Sequence, residues 1–176
     1  VASYFIYGKI VEKVAGTDED IKILYGCEGY YINDALFCLS DCYLKSDSLD
    51  RAVESLKLLA EQPQNQYTVP VVEKLAQVTF DNQMYEEAAS AFRRKYELAD
   101  NPTARLESAN GYAESVLLRK DDEALMVMAN DLDTLVDVDA TMLRRVRFAK
   151  AKVHTSRSES AEARKIYEML AADVMN

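Results

Sequence analysis

Apolar residues recur every three or four positions through most of the chain, the spacing of amphipathic α-helices. In one stretch Leu36, Leu39 and Tyr43 share a helix face, and in another Val72, Leu75 and Thr79 do so. Short polar joints separate these stretches. The pattern predicts ten helices, over residues 3–14, 18–28, 33–45, 49–61, 69–81, 85–98, 102–118, 122–136, 140–155 and 159–173.

Several predicted helix ends carry residues that favour a boundary. Asn101 followed by Pro102 is typical of an N-cap with proline at the first helical position. Pro70 falls in the first turn of another helix, and Pro63 comes just after the stretch that ends near Leu59, where it can stop a helix.

In addition to this helical periodicity, a longer sequence motif repeats along the chain. Four alanines follow acidic residues at separations of 36, 36 and 39 residues, and a bulky apolar residue comes four positions after each alanine. A small residue allows two antiparallel helices to approach closely, and the bulky residue one turn later fills the groove between repeats. The alanines are Ala52, Ala88, Ala124 and Ala163, and the bulky residues are Leu56, Phe92, Met128 and Tyr167.

These features resemble the tetratricopeptide repeat (TPR) family. The resemblance implies an all-α fold, a right-handed superhelix of antiparallel helix pairs, with residues 1–176 forming one array. In the third repeat Leu106, Ala109, Ala113 and Val116 keep helical spacing but sit earlier than the family pattern expects. We predict repeats at 33–68, 69–104, 105–143 and 144–176, with a degenerate or capping repeat at 1–31.

The composition and net charge disfavour several folds and functions. With only 5 Gly and 3 Pro, the chain lacks the turn residues of an antiparallel β fold. A net charge of −9 disfavours nucleic-acid binding, and no apolar run is long enough for membrane insertion. Because the first residue is Val1, we expect a processed chain or a fragment of a larger protein. The 36-residue spacing is similar to that of TPR proteins from bacterial cell envelopes, which suggests a bacterial envelope, periplasmic or cytoplasmic location.

No pattern of catalytic residues emerges. The three cysteines, Cys27, Cys38 and Cys42, do not form a disulfide framework, and we expect them to be packing residues. The only histidine, His154, cannot build a metal triad, and no glycine-rich phosphate loop is present. We therefore predict no catalysis, no cofactor and no metal site.

The family resemblance also implies where a partner binds. TPR proteins hold peptides or helices in a concave groove lined mainly by first helices, so we predict a non-catalytic scaffold or adaptor that binds a protein or peptide there. The alternative is a sensory or regulatory module that controls an attached enzyme or DNA-binding domain. Carried over from the family, the groove residues are Phe37, Asp41, Lys45, Glu73, Gln77, Phe80, Asp81, Arg145, Phe148 and Lys152.

Charge changes sign near the end of the chain. An acidic stretch and a basic stretch follow one another, and two interpretations remain open: solvated faces that neutralise each other, or a bipolar groove that orients a partner. The acidic residues are Asp131, Asp133, Asp137 and Asp139, and the basic residues are Arg144, Arg145, Arg147, Lys150 and Lys152.

Overall fold

The computed structural model describes residues 29–173, with side chains from residue 33 onward. This part of the chain is helical and contains no strand, which confirms the predicted all-α class. The predicted helices 3–14 and 18–28, and with them most of the degenerate repeat 1–31, lie outside the described residues. The helices are α1 (Gly29–Lys45), α2 (Leu49–Ala60), α3 (Thr68–Asp81), α4 (Tyr85–Leu98), α5 (Pro102–Arg119), α6 (Asp122–Leu132), α7 (Ala140–Ser156) and α8 (Ser160–Asp173).

Two helix boundaries differ from the predicted ones by more than one residue. Helix α1 begins at Gly29 rather than at residue 33, because the repeat count marked the start of the repeat and not of the helix. Helix α6 ends at Leu132 rather than at residue 136. Beyond it the N–H groups of Thr134 and Leu135 bond three residues back, at 2.9 and 3.2 Å, which is a tightened final turn. The Tyr96 hydroxyl then accepts the N–H of Val136 at 3.0 Å and donates to its carbonyl at 2.9 Å.

The chain divides into two compact units, residues 1–75 and 76–176, and the boundary falls within α3. In the described part of the first unit, α1 and α2 form a helical hairpin. Helix α2 turns one apolar face inward, with Leu56 fully buried and Leu59 2% exposed. Burying one leucine stabilises the fold by about 1.5–3 kcal/mol, so this face holds the hairpin together.

The core of the second unit lies among α5, α6 and α7. Its members are apolar residues spaced three or four positions apart on each helix, as the sequence pattern predicts. They include Ala113, Val116, Leu125, Met128, Ala129, Leu132, Met142, Val146 and Val153.

The turns between paired helices share one backbone conformation. Residues Asp47, Gln83, Lys120 and Ser158 have left-handed φ angles of 53–62° and follow each other at intervals of 36, 37 and 38 residues. After the first, second and fourth of them, the next N–H bonds to a carbonyl five residues back, at 2.8–2.9 Å. This bond is the Schellman closure of a helix C-terminus. The third turn has the left-handed residue as its C-cap but lacks that bond among the hydrogen bonds of the described residues, in keeping with the shifted register of the third repeat.

The repeat residues are buried to different degrees. Ala52, Ala88 and Ala163 are buried as predicted, whereas Ala124 is half-buried. Leu56 and Met128 are fully buried, and Phe92 is half-buried against α5. Tyr167 is 36% exposed, because no further helix follows α8 in the described part of the chain.

The packing expectation for two of the cysteines was wrong. Cys38 and Cys42 are exposed, because α1 turns its opposite side, with Ala35 and Leu36, into the core. Leu106 is 36% exposed, although the other three apolar positions in the third repeat are buried. It belongs to the first turns of α5, ahead of the face that meets α6. Cys27 lies outside the described residues.

Candidate protein-binding surface

In the first unit, Phe37 is contacted by Tyr67, which comes just before α3, and by Lys74 in the middle of α3. Its ring lies 5.7 Å from that of Tyr67, between centroids, and the Lys74 ammonium group is 4.6 Å from the ring centroid. Lys74 also forms an ion pair with Asp41, and its ammonium nitrogen lies 3.3 Å from the Ser40 hydroxyl oxygen. Two predicted groove residues, Phe37 and Asp41, are therefore committed to contacts between neighbouring first helices.

A second polar contact joins the same two segments. The Tyr67 hydroxyl donates a hydrogen bond to the carboxylate of Asp34. This bond, with a smaller contribution from burial, raises the pKa of Tyr67, because the carboxylate disfavours a phenolate next to it. Lys45 and Glu73, the other predicted groove residues of this unit, lie exposed on α1 and α3.

At the beginning of the second unit, the predicted groove residues Gln77 and Asp81 contact each other, and Phe80 contacts helix α4. The Gln77 amide donates to both carboxylate oxygens of Asp81 at 2.8 Å, one turn along α3. The ring of Phe80 lies 6.0 Å from Tyr85 and 5.9 Å from Phe92, both edge-on. Phe80 thus packs against α4 rather than presenting a free aromatic face.

The acidic stretch of the second unit has structural partners. Arg93 of α4 donates to Asp131 through Nε at 2.7 Å, and Arg147 pairs with Asp133 at 3.1 Å. Arg105 pairs with Asp137 at 3.3 Å. The Asp139 carboxylate accepts the N–H of Met142 at 2.9 Å, which caps α7. Only Asp133 pairs with the basic stretch, through Arg147, whereas Asp131 and Asp137 pair with arginines of α4 and α5 and Asp139 caps α7.

The basic stretch on α7 divides into two groups. Arg145 forms a two-pronged bond with Glu114 of α5, at 2.8 and 3.2 Å, and Lys150 donates to Asn130 at 2.7 Å. Arg147 is held by the acidic stretch, as above. Arg144 donates only to the carbonyl of Ala140 on its own helix, at 3.2 Å, and Lys152 lies 5.0 Å from the ring centroid of Phe148. Within residues 29–173, neither Arg144 nor Lys152 has a carboxylate partner.

Arg144, Phe148 and Lys152 are spaced four residues apart and therefore line one side of α7, which we call the α7 stripe. All three are exposed, and Phe148 is 48% exposed. The ring of Tyr167 on α8 meets the Phe148 ring edge-on at 5.9 Å. This contact supports the Phe148 ring while leaving much of its surface open to a partner.

Sequence reasoning missed the residues that hold these surfaces in place. The repeat pattern does not single out Lys74 or Tyr67, and it predicts that Tyr167 fills the groove between repeats. One signal was present: Asp34 and Asp41 each meet a polar residue 33 positions later. Glu114 and Arg145 are 31 positions apart in the same way. Complementary polar residues slightly less than one repeat apart mark contacts between successive first helices.

Two further features bear on other classes of function. None of the helices described between residues 29 and 173 is both long and apolar enough to cross a bilayer. His154 is largely buried at the α7–α8 turn, where its Nδ1 lies 2.5 Å from the carboxylate of Glu159. The histidine is therefore tied into the hairpin turn.

Comparisons with known proteins give limited information. No protein-family model matches the chain, and no curated protein sequence matches it. Among solved structures, the chain is similar to TPR-like repeats of a kinesin light chain type protein from Podosopora anserina, in two crystal structures. The first is 16% identical with a TM-score of 0.43, and the match covers 94% of this chain and 85% of that one. The second has a TM-score of 0.42 at the same identity.

Proposed function

We propose that this chain is a non-catalytic scaffold that binds a protein or peptide partner, and that in residues 76–176 the partner contacts the α7 stripe. The proposal draws on the TPR resemblance of the sequence and on the helical hairpins of the described residues. The spacing similarity to bacterial envelope proteins adds the proposal that the scaffold works within a larger bacterial assembly.

The observation that carries the proposal is the exposure of Phe148. Large aromatic residues contribute much of the binding energy of protein interfaces, because a rigid ring buries a large apolar area at little entropic cost. Phe148 is 48% exposed on a first helix, flanked by two cations that the described structure does not neutralise. The other predicted aromatic groove residues, Phe37 and Phe80, are half-buried against their own units.

The test compares two alanine substitutions of exposed apolar residues. Phe148→Ala removes the proposed contact, and Val127→Ala removes a side chain that is 67% exposed on α6, a second helix. The intact chain carrying each substitution is used to capture partners, which are identified by mass spectrometry and compared with the parent.

We expect a specific partner to be retained by Val127→Ala and lost by Phe148→Ala. Circular dichroism of both variants checks that the helices persist. If Phe148→Ala captures every partner as well as the parent does, the assignment of the binding surface to α7 is wrong.

A further inference from the structure

The α7 stripe has a definite chemistry: cation, aromatic ring, cation, at four-residue intervals. The two cations lie one helical turn on either side of Phe148, about 6 Å along the helix axis in each direction. Exposed arginine and lysine elsewhere in the second unit mostly face a carboxylate, as Arg157 faces Glu123 at 2.7 Å and Arg164 faces Glu168 at 2.7 Å. Arg144 and Lys152 face none in the described residues, as do Arg94 and Lys120, but of these four cations only Arg144 and Lys152 lie on either side of an exposed phenylalanine on one helix face.

The positive charge of the α7 stripe is opposite in sign to the net charge of the chain. The net charge is −9, so an acidic ligand is repelled by the molecule as a whole and a basic one is attracted. Three basic residues of α7 already have structural roles. Arg145, Arg147 and Lys150 each bond to a residue outside α7. Arg144 and Lys152 have no such bond among the described residues.

We propose that the α7 stripe binds an acidic amphipathic helix of a partner protein, with an apolar residue seated on Phe148 and one carboxylate reaching each of Arg144 and Lys152. This inference rests on the proposed function and specifies the partner class. A partner helix packed along α7 repeats the same four-residue spacing, so acidic residues four before and four after its apolar residue span the two cations.

The ligand is a helix rather than an extended strand because residues 29–173 offer no strand edge to which a strand could add. An extended peptide on a helix face leaves its backbone N–H and C=O groups without protein partners, whereas a helix satisfies them internally. An apolar anchor between the carboxylates fits the exposed ring, which is supported on one side by Tyr167.

The probes are three stapled helical peptides that differ only at the two charged positions. Each has leucine at the centre, with Glu, Gln or Lys four residues before and after it. Binding to the intact chain is measured by NMR titration of backbone amides, which detects weak complexes. The Glu peptide forms two exposed charge pairs that the Gln peptide lacks, so we expect it to bind about tenfold more tightly.

Charge reversal gives the decisive comparison. Lys152→Glu should weaken the Glu peptide and strengthen the Lys peptide until the two bind about equally, because each then meets one like and one opposite charge. Reversing Arg144 as well should invert their order. Arg94→Glu is the matched control, since Arg94 is exposed on α4 and its replacement changes the net charge by the same amount. With that control the order of the three peptides should not change. Circular dichroism confirms that the variants remain helical.

Two results overturn the inference: equal signals from the three peptides, including no signal from any of them, or larger shifts on α7 with a single-stranded oligonucleotide than with the Glu peptide. The proposed function fails separately. If natural partners depend on Phe148 but not on Lys152, the surface is correct and the acidic class is wrong. If they depend on neither, the surface itself is wrong.

Discussion

Gly111 of α5 lies close to Phe92 of α4, and its replacement by alanine tests how tightly that interface is packed. A methyl group on Gly111 would lie 2.5 Å from two carbons of the Phe92 ring and 2.8 Å from a third. The ring has little room to retreat, because Phe80 packs against it edge-on at a centroid distance of 5.9 Å. Carbon atoms prefer separations of about 3.5–4.0 Å, so the substitution requires the helices or the ring to move.

Two effects of opposite sign determine the result. Alanine is favoured over glycine inside a helix by about 1 kcal/mol, whereas overpacking a close interface costs about 1–3 kcal/mol. We expect Gly111→Ala to lower the free energy of unfolding by about 1 kcal/mol, despite the better helix propensity of alanine. In a Phe92→Leu background the ring is absent, and the same substitution should raise the free energy of unfolding by about 1 kcal/mol.

The assay is urea unfolding followed by far-UV circular dichroism for the parent, both single variants and the double variant. The sign change corresponds to a coupling of about 2 kcal/mol, well above the usual error of additivity for independent sites. If Gly111→Ala stabilises the parent as much as it stabilises the Phe92→Leu protein, the close contact at this interface does not exist.

Three further substitutions have defined outcomes. Asn101→Ala should cost about 1 kcal/mol of stability in urea unfolding, because the Asn101 side chain accepts the N–H of Ala104 at 2.8 Å, while Asn101→Asp should keep the cap. Tyr96→Phe removes both bonds to Val136 and should cost about 0.5–1.5 kcal/mol; an unchanged unfolding midpoint would contradict this role. Burial raises the pKa of Tyr112 to about 12. A folded pKa above the unfolded value of about 10 makes the stabilisation complete below pH 10 and lost as the pH rises towards 12. Unfolding measured across this range should show a smaller decline for Tyr112→Phe than for the parent, and identical declines would contradict the assignment.

The sequence by itself determined the elements. Six helices begin and end within one residue of their predicted bounds, because caps, prolines and apolar spacing act locally. The buried residues Ala52, Ala88 and Ala163 were recognised from the repeat alone, since close helix packing requires a small residue wherever it occurs. The exposure of Leu106 and Tyr167 was not predicted, because spacing shows which face a residue occupies but not whether another helix covers that face.

Only the tertiary structure decided which predicted groove residues remain open. In the sequence, Asp41, Phe80 and Phe148 occupy equivalent kinds of position, yet the first pairs with Lys74, the second packs on α4 and the third is exposed. These outcomes depend on contacts between residues of different helices, up to 33 positions apart for Asp41 and Lys74. The apolar periodicity within each helix does not reveal them, and the spacing of complementary polar residues marks only some of them, because each contact depends on how neighbouring helices pack.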